Sequence, residues 1–242
     1  MPEWGLAAIG GVAAGGALVL GAAIAWFVRV PDRVTATIMA FGAGVLISAL
    51  AFDLVLEAEE TSGLLLTSAA FLAGAVVYVA ANLTLHRLGQ RAKPGTAADS
   101  TGSGIAIGAL LDGVPESAII GLTAASSGAL SIPLLVAVGI SNVPEGLSST
   151  AAMKASGRSR ASVFRLWGTI GAVCAVSSLA GYFGLGALDE HARSVTQAVA
   201  AGAILAMICD TMIPDAFRRT GAFTGLAATV GFLGSFMLHV AV

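Results

Sequence analysis

Asp112-Gly-Val-Pro-Glu-Ser117 and Ser141-Asn-Val-Pro-Glu-Gly146 are matching hexapeptides, each set inside an apolar run long enough to cross a membrane. In both, a carboxylate directly follows a proline, and a second oxygen-bearing side chain stands three or four residues before it. Positions i, i+3 and i+4 share one face of a helix. Asp112 therefore points with Glu116, and Ser141 and Asn142 point with Glu145. Two neighbouring helices meeting on these faces gather about five oxygen ligands at one depth. The spacing predicts a cation site within a bilayer, and the rest of the chain reads as its housing.

The surrounding composition fits that housing. The chain is 57% hydrophobic and 11% charged, with 31 glycines and a mean hydropathy of +0.90, which excludes a soluble domain. A hydrocarbon core of roughly 30 Å needs about 20 apolar residues per helix, and several segments reach that length. The net charge of -2 says little beside how the charges are distributed. Cys174 and Cys209 both lie in apolar runs, so no disulfide framework is expected. The first run follows Glu3 and meets no Lys or Arg before Arg29. A secretory signal opens with positive charge, so this run is expected to be a retained helix. No phosphate-binding loop, nucleotide fingerprint or basic nucleic-acid patch is present, so neither nucleotide nor nucleic acid is an expected partner.

Eight spans are predicted, at Gly5–Val28, Thr35–Leu56, Leu64–Leu85, Gly104–Ala125, Leu130–Met153, Phe164–Leu185, Val195–Ile213 and Gly221–Val242. A lone membrane chain is helical or a closed barrel, and the runs lack the alternation of barrel strands. The fold class is thus all-α integral membrane protein, a single transmembrane domain over 1–242. A connection at His86–Ser103, containing Lys-Pro-Gly, Ala-Ala and Asp-Ser-Thr-Gly-Ser, reads as a flexible cytoplasmic loop. With the N-terminus outside, eleven of the twelve Lys and Arg fall on the inner side and only Arg193 falls outside. Glu57, Glu59, Glu60, Asp189 and Glu190 lie near the outer face. The positive-inside rule then gives eight spans with both termini outside. The expected location is a cell membrane, crossed many times, of the bacterial inner or plasma-membrane type.

The VPE motifs lie on consecutive, antiparallel spans. Asp53-Leu-Val-Leu-Glu-Ala58 in span two also echoes Thr211-Met-Ile-Pro-Asp-Ala216 in span seven. Three spans on either side of a central pair would form an inverted repeat, a habit of secondary transporters, which bind at the repeat interface on discontinuous helices. A charge at mid-bilayer costs roughly 2.5–3.5 kcal/mol on insertion scales. No Lys, Arg or His lies at the depth of Asp112, Glu116 and Glu145, so these acids must be protonated, hydrated or bound to a cation. Pro115 and Pro144 each free a carbonyl one turn earlier, near Leu111 and Ile140. Asp53 and Glu57 are candidates for an entrance and Asp210 for an exit. Cys174 reads as a packing residue and the three histidines as lying outside any buried site.

At these residues the chain resembles the ZIP (Zrt/Irt-like protein) family of divalent-metal importers. The resemblance rests on Asn142-Val-Pro-Glu-Gly146 and Val114-Pro-Glu116, and more weakly on Asp53-Leu-Val-Leu-Glu-Ala58 and Ile213-Pro-Asp-Ala216. It implies a 3+2+3 arrangement, a metal site between spans four and five, a homodimer and elevator-like transport. Glu116 and Glu145 match the family's bridging glutamates, and Asn142 keeps a ligand-type amide. Several positions depart: the usual span-four histidine and asparagine are Asp112 and Gly113, and the residue opening the span-five motif is Ser141. The span-six Glu-Pro pair falls on Cys174-Ala175, the span-seven glutamate is Thr211, and the span-two histidine is Asp53. The expected principal site is Asp112, Glu116, Asn142 and Glu145, with Ser141 in reach. Asp53, Glu57, Cys174 and Asp210 are left as secondary, entrance or exit contacts.

The resemblance implies zinc as cargo, whereas an all-oxygen shell suits Mn2+, Mg2+, Ca2+ or Fe2+, and Cd2+ is a further candidate. The leading expectation is a secondary transporter, not an enzyme, with the divalent metal and the lipid bilayer as its partners. Two other readings stay open. One is a divergent homologue that binds or senses a metal, or moves another solute. The other is an intramembrane hydrolase using Asp112 and Glu116 as an acid–base pair.

Overall fold

The structure, a computed structural model, describes residues 2–91 and 97–241. Among these it is helical throughout and without a strand. The chain folds into α1 (Glu3–Phe27), α2 (Asp32–Ser62), α3 (Leu64–Arg91), α4 (Ala97–Ser127), α5 (Ile132–Ala155), α6 (Arg160–Leu185), α7 (Glu190–Thr220) and α8 (Phe223–Ala241). Six of them, α1, α2, α6, α7, α8 and Leu64–Thr84 of α3, are long and apolar enough to cross a membrane. The chain is a multi-pass membrane protein by that measure. The two VPE helices, interrupted by acids, amide and hydroxyls, are not among the six. The expected loop at His86–Ser103 is helical at both ends, since α3 runs on to Arg91 and α4 begins at Ala97. Its middle, 92–96, lies outside the described residues.

Local chemistry sets the helix ends. Ser131 caps α5 by accepting from the Leu134 N–H at 3.2 Å, with Pro133 in the first turn where no partner for its nitrogen is needed. Ser159 and Asp189 cap α6 and α7 in the same way. Gly128, at φ +65°, makes the tight turn that folds α5 back beside α4. Three helices contain a π-helical turn: Leu50–Val55 in α2, Gly181–Leu185 in α6 and Ile208–Met212 in α7. The last follows from Pro214, which has no N–H to offer the carbonyl one turn back. The α2 turn has no proline to account for it.

The packed pairs are α1 with α4, α5 and α6, α2 with α5, α7 and α8, α3 with α7, and α4 with α5, α6 and α7. Exchanging α1, α2 and α3 with α6, α7 and α8, and α4 with α5, maps each pair onto a pair of the set except α1 with α4, whose counterpart α5 with α6 barely touches. Side-chain register gives the directions. Asn142 meets Ala14 and Lys154 meets Trp26, so α5 runs parallel to α1. Ser178 meets Ala7 while Gly171 meets Gly15, so α6 runs antiparallel to α1.

The pairs touch backbone to backbone at glycines. A side chain added at Gly202 of α7 would overlap the Phe71 carbonyl of α3, and one at Gly74 of α3 would overlap the Val199 carbonyl of α7. Gly44 and Gly231 make the same reciprocal contact between α2 and α8, with Ala228 and Phe41. Small residues permit this approach, which replaces the hydrophobic drive that lipid removes.

The two ends of the bundle differ in charge. Asp32 at the start of α2 pairs with Arg219 at the end of α7 at 3.2 Å, and Lys154 lies over Trp26. Arg29, Arg33, Lys154, Arg158, Arg160, Arg218 and Arg219 thus share a basic end. Glu3, near Tyr182, marks the acidic end with Glu57, Glu59, Glu60, Asp189 and Glu190. Gly202→Val is expected to cost about 3 kcal/mol through overpacking, whereas Gly225→Ala, which faces open space, should gain up to about 1 kcal/mol. Thermal unfolding of both variants in detergent checks the contrast.

Candidate functional site

The VPE helices meet as their spacing predicts. Asp112 and Glu116 of α4 and Ser141, Asn142 and Glu145 of α5 all line one cavity of about 80 Å³, with Met39 of α2 and Met207, Thr211, Met212 and Asp215 of α7. Glu116, Ser141 and Asn142 are buried, and Asp112 and Glu145 are half-buried. The volume admits a cation with a few waters.

The hydrogen bonds around the cavity leave it rich in acceptors. Ser141 donates its hydroxyl to the Val138 carbonyl at 2.9 Å, and Thr211 donates to Met207 at 2.8 Å. The Asn142 Nδ2 donates across to the Ala14 carbonyl of α1 at 3.0 Å. With those donors turned to the backbone, carboxylates, hydroxyl lone pairs and thioethers remain. Glu116 Oε2 is buried with no hydrogen-bond partner. Asp215 pairs with Arg218 near the basic end, and no other carboxylate of the cavity forms an ion pair among the described residues. A buried, unpartnered acceptor is costly unless something neutralises it. No three His, Cys, Asp or Glu side chains among the described residues close into a metal-binding group, so the carboxylates share a cavity rather than converge on a point.

A smaller cavity lined by Thr35, Ala36, Met39, Ser148, Asp215 and Arg219 adjoins the first through Met39 and Asp215, towards the basic end. At the acidic end, about 430 Å³ is lined by Asp53, Glu57 and Glu60 of α2, Thr123 and Ser127 of α4, Ser131 of α5 and His239 of α8. Leu46 and Leu50, Ile119 and Ile120, and Leu134 and Val138 lie between the two spaces along α2, α4 and α5. All six are at most 3% exposed. This apolar layer closes the central cavity towards the acidic end.

The remaining sequence-predicted residues divide. Asp53 and Glu57 share the acidic-end cavity, where an entrance was expected. Cys174 does not reach the central cavity: its Sγ donates to the Gly113 carbonyl at 3.7 Å, and its neighbour Ser177 donates to Val114 at 2.9 Å. These α6 side chains cover the carbonyls just before Pro115, which is packing. Asp210 is exposed beside Cys209 and lines neither cavity. Met207, Thr211 and Asp215, four residues apart, take the inward face of α7 and leave Asp210 on its flank. The histidines were expected to serve no buried site, yet His239 Nδ1 lies 2.6 Å from Asp53 Oδ1.

Met39, Met207, Met212 and Asp215 were not foreseen as lining. Asp215 had a signal, the Ile213-Pro-Asp-Ala216 echo of span two. A methionine inside an apolar run carries no period or partner that would mark it. The cavity lining is consequently not confined to oxygen-bearing side chains.

No protein-family model matches the chain, and no curated protein matches it. A divalent cation at about 100 times its Kd is expected to raise the stability of the purified protein by about 2.7 kcal/mol, with the gain lost in Glu116→Gln and Glu145→Gln. Thermal unfolding with and without chelator tests this, and an undiminished gain in both variants removes these carboxylates from the site.

Proposed function

We propose that this chain is a secondary transporter that carries a divalent metal cation across a membrane through the cavity between α4 and α5. The observation that carries the reading is the acceptor-rich lining: carboxylates from three helices, with the neighbouring hydroxyl and amide donors turned to backbone carbonyls. A cation neutralises such a lining, whereas an anion or an amphiphile is repelled by it. The cation is the cargo, and its own charge offsets the cost of carrying carboxylates at mid-bilayer.

The arrangement proposed is eight spans with both termini outside, read as an inverted repeat of three helices on each side of α4 and α5. Support comes from the exchange symmetry of the packed pairs and from the segregation of the basic and acidic ends. The apolar layer of Leu50, Ile120 and Val138 then serves as a closed outer gate, and the cavity at Asp215 as the start of an inner path. Release inward follows by alternating access. Resemblance to the ZIP family at the VPE motifs supports zinc as cargo, and a homodimer is the assembly that resemblance implies. The methionines add thioether sulfur, which shifts the preference towards zinc and cadmium and away from manganese and magnesium.

A second reading is favoured by the absence, among the described residues, of a closed three-ligand group: a homologue that binds or senses a metal, or moves another solute. Uptake into proteoliposomes separates the two. Zinc or cadmium uptake is expected, falling at least tenfold in Glu116→Ala and Glu145→Ala, the factor that about 1.4 kcal/mol of lost binding produces. Binding without uptake would favour the second reading. In the double variant Met39→Leu, Met212→Leu, the uptake ratio of cadmium to manganese is expected to fall about threefold or more.

A further inference from the structure

The π-helical turn of α2 has two different faces. Phe52 and Asp53 line the polar cavity at the acidic end. Leu50, Ala51 and Val55 line a separate groove of about 600 Å³ against α3 and α7, continued by Ile47, Leu56, Leu64, Phe71 and Leu205. This groove opens away from the carboxylate cavity; it shares Leu50 with the apolar layer and Leu56 with the acidic-end cavity, and the transport reading makes no use of the rest of its lining.

Its polarity is graded. The only ionisable residue among its lining is Glu59, whose carboxylate makes no hydrogen bond or ion pair among the described residues. Thr67 and Ser68 flank that end, and Thr67 already donates its hydroxyl to the Ala58 carbonyl. The rest of the lining is apolar. From Ile47 to Glu59 the groove runs about 18 Å along α2, at ~1.5 Å per residue. One leaflet of a hydrocarbon core of roughly 30 Å is about 15 Å deep. The apolar length thus matches one acyl chain lying along the helix, with the carboxylate level with the headgroups.

We infer that this groove binds a single acyl chain of a membrane lipid whose headgroup carries a primary amine, with the ammonium set against Glu59. An ammonium has three donors for the unpartnered carboxylate, and charge-assisted hydrogen bonds are the strong ones. A headgroup of net negative charge would meet Glu59 with repulsion. Selectivity therefore comes from the headgroup and most of the affinity from the buried chain. The inference rests on the reading that the chain spans a bilayer, but not on what it transports.

The test is lipid binding to the purified full-length protein by native mass spectrometry. Phosphatidylethanolamine and phosphatidylglycerol with identical acyl chains are titrated separately. Phosphatidylethanolamine is expected to bind about tenfold more tightly, and Glu59→Gln to bring the two lipids within about twofold. Ser68→Trp, placed at an exposed groove position where it cannot disturb the core, is expected to weaken both lipids by tenfold or more. Equal binding of the two lipids to the wild type overturns the proposal, as does a preference that survives Glu59→Gln or binding that Ser68→Trp leaves unchanged. If the protein failed to fractionate with membranes, the bilayer reading itself would fail, which is a separate result from any of these.

Discussion

Backbone-to-backbone contact at glycine holds this bundle together. In lipid, apolar side chains gain little by leaving one hydrocarbon environment for another, so helices associate through close packing and through bonds across the interface. Gly202 against Phe71, Gly74 against Val199, Gly44 against Ala228 and Gly231 against Phe41 bring main chains together where any side chain would collide. The same approach lets Asn142 reach the Ala14 carbonyl and Ser178 reach the Ala7 carbonyl. Both bonds lock polar side chains between helices. Gly21 against the Val143 carbonyl and Gly146 against the Leu18 carbonyl bring α1 and α5 together in the same way, and without them α5 would stand too far from α1 for Asn142 to be satisfied.

That cavity is an unusual place to put charge. Four carboxylates line it, and among the described residues only Asp215 has a basic partner. The neighbouring hydroxyls and the amide, which would have relieved the acids, spend their donors on carbonyls of the helices instead. On the proposed reading, something positive completes this lining. The apolar layer at Leu50, Ile120 and Val138 and the small cavity at Asp215 and Arg219 make the surroundings asymmetric. A cation would meet a dry barrier on the acidic side and a polar passage on the basic side.

Methionines add a second chemical character. Met39, Met207 and Met212 line the same space as the hard carboxylate oxygens, and a methionine side chain carries a polarisable sulfur. A mixed lining of this kind binds borderline cations better than purely hard ones. It also packs as an apolar wall, since thioethers cost little to bury.

The sequence by itself determined the helical class, because long apolar runs in lipid must satisfy their own backbones. It also determined the inward face of α4 and α5, because Asp112 with Glu116 and Asn142 with Glu145 repeat at helical spacing whatever the helices pack against. The segregation of Arg and Lys was equally visible, being a property of the chain order alone. Tertiary structure decided the rest. It brought α2 and α7 against the VPE pair, which put Met39, Met207, Met212 and Asp215 into the lining and left Asp210 on a flank. It set Cys174 on the Gly113 carbonyl rather than in the cavity, and it joined His239 to Asp53 across 186 positions of sequence. The physical reason is periodicity. A face can be read from residues three and four apart on one helix, but which helix meets that face depends on glycine contacts and crossing geometry, which leave no period in the sequence.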